Sequence, residues 1–154
     1  ESSDPLPPPV ESTQHDDPRI ARAEAGLAAF EQMVPEMKTM YDSEATGPTE
    51  CQDLLGLDFK APHFAGQYHV PSYDLWIRQC DMRPAYTLHR RVLKLLQWRC
   101  GPTRWHLKTP VHMLALPALD AVYPDARFVM THRDPARVRG SVCRTPVKMR
   151  RASS

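Results

Sequence analysis

Apolar positions recur at helical spacing early in the chain. Ile20, Leu27, Phe30, Val34 and Met37 line up as one stripe. Asp17-Pro18 precedes the stripe as an N-cap and a first-turn proline, and Pro35 predicts a kink or split. Residues 42–71 show no period. Gly47-Pro48, Gly56, Pro62, Gly66 and Pro71 punctuate them, which predicts irregular structure. A second helix is predicted from Ser72, with Tyr73, Trp76, Ile77 and Cys80 on one face. A third runs from near Pro84 to about Cys100. Its stripe is Tyr86, His89, Leu93, Leu96 and Cys100, and Gly101-Pro102 ends it. Arg90, Arg91, Lys94 and Arg99 mark its opposite face, read as solvated, with anion binding as the alternative.

The pattern then changes. Arg104-Trp105-His106-Leu107 reads as a buried strand, and Thr109-Pro110 opens a helix carrying Met113, Leu116, Leu119 and Val122. Tyr123-Pro124-Asp125 stops that helix. Residues 126–131 read as a second strand, and Asp134-Pro135 opens a last helix toward Ser141 and Cys143. Strand–helix–strand–helix over 104–143 predicts an α/β fold with a parallel sheet and a right-handed crossover. Trp76, Trp98 and Trp105 are read as core. With part of a sheet, an exposed strand edge is expected, which favours aggregation or pairing, including into a homo-oligomer.

Composition narrows the class. The 154 residues are 42% hydrophobic and 25% charged, which suits one globular domain and argues against wholesale disorder. No window approaches the ~18 apolar residues of a membrane span. The start, Glu1-Ser2-Ser3-Asp4, shows neither a basic nor an apolar leader segment. Four cysteines, at 51, 80, 100 and 143, form no C-x-x-C pair, so a zinc ribbon is not expected. Isolated cysteines without a leader fit a cytoplasmic location. The prolines and acids of residues 1–17 read as an extended arm.

The net charge of +2 hides an asymmetry. Residues 1–50 hold three Lys/Arg against eleven Asp/Glu, and residues 51–154 hold 17 against seven. The basic part invites an anion. In parallel sheets ligands bind beyond the carboxyl ends of strands. Here those ends are Lys108-Thr109-Pro110 and His132-Arg133-Asp134-Pro135, each a cation before a helix start. Arg suits a bidentate phosphate and Lys supplies a point charge, so a polyanion is the predicted ligand. The structural alternative pairs Lys108 or Arg133 with Asp120 or Asp134. The tail after Phe128 lacks interleaved aromatics, so nucleic acid is not an expected partner.

These motifs resemble a known family. Trp105-His-Leu-Lys-Thr-Pro-Val-His112, Tyr123-Pro-Asp-Ala-Arg-Phe-Val129, Thr131-His-Arg-Asp-Pro135 and Ser141 look like the nucleotide-dependent sulfotransferases. The likeness is to the bacterial branch with a Lys-Ser/Thr-Pro-x-His motif. Asp16-Asp17-Pro18-Arg19-Ile20, Glu50-Cys51, Val70-Pro71-Ser72-Tyr73 and the Arg90-to-Trp98 helix extend it upstream.

The resemblance implies a partial P-loop-like sheet beside a mainly helical region. It implies sulfuryl transfer from 3′-phosphoadenosine 5′-phosphosulfate to a hydroxyl or amine, without a metal. Lys108 would contact the sulfonate and bridging oxygen. Arg133 and Ser141, eight residues apart, would hold the 3′-phosphate. His112 would be the general base or a substrate-orienting or structural histidine, with Glu50 as the carboxylate alternative. His63 and His69 read as structural or acceptor-pocket residues, and His132 as shaping a strand end. The expected division is an arm (1–17), a helical acceptor-side region (18–103), a nucleotide-binding βαβα unit (104–143) and a divergent basic tail (144–154). The apolar stretch from Phe59 to Trp98 points to a small lipid-like or aromatic acceptor. The family's Pro-x-Ser-Gly-Thr-Thr loop is not in these 154 residues. The expectation is therefore an incomplete enzyme chain. The alternative is an inactive remnant that keeps nucleotide or partner binding.

Overall fold

Residues 6–8, 11–13, 16–35, 43–98, 104–136 and 138 are described in a computed structural model of the chain. Helix α1 (Pro18–Met33) starts where the Asp17-Pro18 signal places it. The Asp17 carboxylate accepts from the Arg19 backbone N–H at 2.9 Å, and Arg19 Nη1 donates to the Pro7 carbonyl at 2.7 Å. The helix stops before Pro35, which has no N–H to continue it. Its stripe is shallower than predicted. No α1 residue is fully buried, and Val34 at the C-cap is the position that enters the core. Met37 lies outside the described residues.

The segment predicted as irregular contains two short helices, α2 (Cys51–Gly56) and α3 (His63–Gln67). Neither has a side-chain cap, so local signals are weak. Burial makes α2: Leu54 and Leu55 pack on the long helix that follows. Helix α4 (Pro71–Ile77) packs beside α3, and Ile77 is its buried residue. Helix α5 (Arg83–Leu96) is the central element. It buries Ala85, Tyr86, His89, Val92 and Leu93, and exposes Arg90, Arg91 and Lys94 as predicted. Cys100 and Arg99 lie outside the described residues.

The single helix predicted after Thr109 is two elements. A 3-10 turn (Pro110–Leu114) precedes α6 (Leu116–Val122). Pro117 accounts for the break, since it lacks an N–H and its ring crowds the preceding turn. Helix α6 restarts with that proline in its first turn. Leu119 is buried, while Met113 and Leu116 are exposed. Arg90 Nη1 donates to the Val122 carbonyl at 3.2 Å and so satisfies an end carbonyl of α6.

Among the described residues there is no strand. The predicted strands at 104–107 and 126–131 carry no ladder pairing, and Val129 is 91% exposed. A strand exists by pairing with a neighbour, and apolar sequence alone does not supply one. The predicted tryptophan core is also corrected. Trp76, Trp98 and Trp105 are all exposed. Leu55, Ala61, Ile77, Met82, Ala85, Tyr86, Val111, Ala115 and Leu119 form the main core instead.

Candidate functional site

Lys108 stands just before the 3-10 turn. The Thr109 side chain caps the turn by accepting from the Val111 N–H at 3.5 Å. The Lys108 backbone carbonyl accepts from the Cys51 N–H at 3.0 Å. This joins the Lys108 segment to the start of α2, and Glu50 immediately precedes that start. The Glu50 carboxylate then forms an ion pair with Lys108 Nζ through Oε1. The lysine side chain is 70% exposed and the glutamate 14%. Glu50 Oε2 is buried without a hydrogen-bond partner among the described residues. Lys108 therefore pairs with neither Asp120 nor Asp134. Its partner is 58 positions away in sequence.

His112 lies within the 3-10 turn, half-buried. Its Nδ1 is 3.0 Å from the Tyr86 hydroxyl, and its Nε2 is buried with no partner among the described residues. Burial holds its pKa below the ordinary histidine value. Beside it on α5 lies His89, fully buried, with Nδ1 at 2.6 Å from the Tyr123 hydroxyl. Burial pushes His89 down to about 4, and the nearby His112 adds to the shift. Burial pushes the Tyr86 phenol up to about 12 and raises Tyr123 as well. Cys51 is buried too, and desolvation raises its thiol to about 11, which leaves it a poor nucleophile.

Arg133 is exposed, beside the Asp134-Pro135 helix start. Asp134 caps that start by accepting from the Ala136 N–H at 2.9 Å. Ser141 lies outside the described residues, as do Cys143 and the tail 144–154. His132 and His69 are exposed. His63 lies against Phe64 with ring centroids 4.2 Å apart and the rings tilted, and burial lowers its pKa. No cluster of three or more His, Cys, Asp or Glu with metal-site geometry occurs among the described residues. No described helix is long and apolar enough to cross a membrane.

A groove of about 420 Å3 borders the same turn. Ile77, Met82, Val111, Leu114, Ala115 and Ala118 supply apolar lining. The ion pairs Arg78–Asp74 and Arg83–Asp81 stand at it already neutralised. Sequence reasoning selected Lys108, His112 and Glu50, and missed Tyr86, His89 and Tyr123 as functional candidates. The available signal was a histidine and a tyrosine on the buried stripe of α5, where apolar residues are expected.

No curated protein gives a significant match. Sulfotransferase STF1 from Mycobacterium tuberculosis H37Rv, a solved structure, superposes with a TM-score of 0.75 at 32% identity. The match covers 92% of this chain and 39% of that one, so the chain spans less than half the length of that relative. The sequence profile of the Sulfotransferase family matches residues 2–153. A profile match over that much of the chain, joined to a shared fold, goes beyond a likeness of motifs: the chain belongs to the sulfotransferase family.

Proposed function

We propose that the protein transfers a sulfuryl group from 3′-phosphoadenosine 5′-phosphosulfate to a hydroxyl or amine of a small acceptor. The observation that carries this reading is the Lys108–Glu50 pair. It sets a cation and a carboxylate side by side at one chain crossing, with the lysine side open to solvent. In-line transfer at sulfur needs charge neutralised on the donor and a proton removed from the acceptor. Lys108 is assigned the first task, turning from Glu50 to the sulfonate. That turn releases Glu50 to take the acceptor proton. The S–O bond to the nucleotide phosphate breaks, the nucleotide leaves with the electron pair, and the new S–O or S–N bond forms to the acceptor. Arg133 and Ser141 are assigned to the 3′-phosphate, where a guanidinium suits bidentate contact. The apolar groove at Val111 and Leu114 is assigned to an apolar part of the acceptor.

Calorimetric titration with 3′-phosphoadenosine 5′-phosphate tests the nucleotide assignment. The expected result is micromolar binding, weakened about tenfold or more in Arg133→Ala. A helical, folded chain that shows no binding would overturn it. Binding without transfer to any acceptor would favour the inactive-remnant reading.

A further inference from the structure

His112 was expected as the proton acceptor or as an orienting or structural histidine, and its surroundings fit the second role. The Tyr86 hydroxyl and His112 Nδ1 are 3.0 Å apart, and Tyr86 is wholly buried. Two arrangements of protons are open to the pair. In one, the phenol donates to Nδ1, and the neutral ring carries its proton on Nε2. In the other, Nδ1–H donates to the phenol oxygen. The second arrangement strands two groups, the phenolic hydrogen and the Nε2 lone pair. Among the described residues neither has another partner. The first strands the Nε2–H and leaves the phenol oxygen accepting from nothing, so the two arrangements strand equal numbers. A phenol O–H is the stronger donor and an imidazole nitrogen the stronger acceptor, so the first arrangement is the stable one. It leaves no lone pair free on either nitrogen.

We propose that Tyr86 and His112 form a positioning pair, with His112 locked as the neutral Nε2–H tautomer and tying the turn after Lys108 to α5. This rests on the sulfuryl-transfer reading, in which Lys108 must meet the donor. The turn has two fixings around Lys108: the Cys51 N–H on its carbonyl, and the Tyr86 hydroxyl on His112 four residues on. Both set the backbone from which Lys108 projects. The titratable groups facing the pair are His89 on α5, Cys51 on α2 and Tyr123 just after α6, and burial keeps all three neutral near pH 7. Tyr86 keeps its proton for the same reason.

Nitrogen-15 NMR of the histidine rings, on the whole chain, reads the tautomer directly. The expected spectrum places the His112 proton on Nε2 at neutral pH and above, and Tyr86→Phe converts it to a tautomer mixture. A wild-type spectrum with the proton on Nδ1, or a His112 titrating at its ordinary value, would overturn the proposal. This measurement needs no turnover, so it decides the tautomer even if the transfer reading fails. Turnover supplies the second readout. Asparagine places an acceptor oxygen near the Nδ1 position. His112→Asn is therefore expected to stay within about tenfold of wild type, while His112→Leu and Tyr86→Phe both lose more and share one pH profile with it. Equal losses of about 10²–10⁴-fold in His112→Asn and His112→Leu, with the acidic limb of the profile gone, would restore His112 as the base.

Discussion

Glu50 holds Lys108 through one carboxylate oxygen and leaves the other unbonded. Such a carboxylate has acceptor capacity to spare, which is what proton removal requires. His112 sits on the same stretch of backbone, and on the proposed tautomer its Nδ1 is engaged while its Nε2, buried like Glu50 Oε2, already carries a proton. On the proposed transfer reading the acceptor proton therefore goes to Glu50 rather than His112. Glu50→Gln keeps the shape of the side chain and removes its charge. Transfer is expected to fall about 10²-fold or more, with 3′-phosphoadenosine 5′-phosphate binding within about twofold of wild type. Rate assays beside calorimetry separate the two effects. Full turnover by Glu50→Gln would remove it from the proton path.

Helix α5 organises the elements. It packs on α2 through one part of its apolar stripe and on α6 through another. Leu55 of α2 is fully buried in the main core, while Leu57, two residues on, is 47% exposed. The two positions test whether α2 is held by packing or by local preference. Leu55→Ala is expected to cost about 2–5 kcal/mol, as a buried deletion that leaves a cavity. Leu57→Ala is expected to stay within about 0.5 kcal/mol. Urea unfolding followed by circular dichroism compares them, and equal losses would contradict the packing account. Helix α2 also sets Glu50 and Cys51, so its loss is expected to free Lys108 from both contacts.

The whole molecule buries an unusual set of titrating groups, and this gives it a pH profile. An unfolded chain takes up protons on histidine near pH 6.5, whereas native His89 refuses one until about pH 4. Stability is therefore expected to fall as pH drops from about 6.5 to about 4, with His89 accounting for on the order of 3 kcal/mol. His112 and His63, both lowered by burial, act in the same direction. Asp17, held down to about 2 by hydrogen bonds from Arg19, adds a further loss below the ordinary carboxylate range. On the alkaline side the native chain keeps the Cys51 proton up to about 11, so stability declines once an unfolded thiol would ionise, above about 9. Urea midpoints across pH are expected to peak between these flanks. A midpoint unchanged from pH 7 to pH 5 would contradict the buried-histidine account.

The sequence by itself determined the features whose causes are local. Asp17-Pro18, Thr109-Pro110 and Asp134-Pro135 each cap a helical start because a side-chain oxygen two residues back suffices to bind a free N–H. The stripe of α5 and its basic outer face were legible because helical spacing alone separates them. The Lys108 and Arg133 motifs were legible as short strings, and they lie within the residues that the family profile matches. Other features were decided only in three dimensions. Helices α2 and α3 carry no side-chain cap, and α2 is stabilised by burial against α5. Strand pairing depends on partners that an apolar run does not encode, and segments 104–107 and 126–131 show none among the described residues. The pairings Glu50–Lys108, Tyr86–His112 and His89–Tyr123 join residues 58, 26 and 34 positions apart. No periodicity links such positions, because the packing of α2, α6 and the 3-10 turn around α5 brings them together.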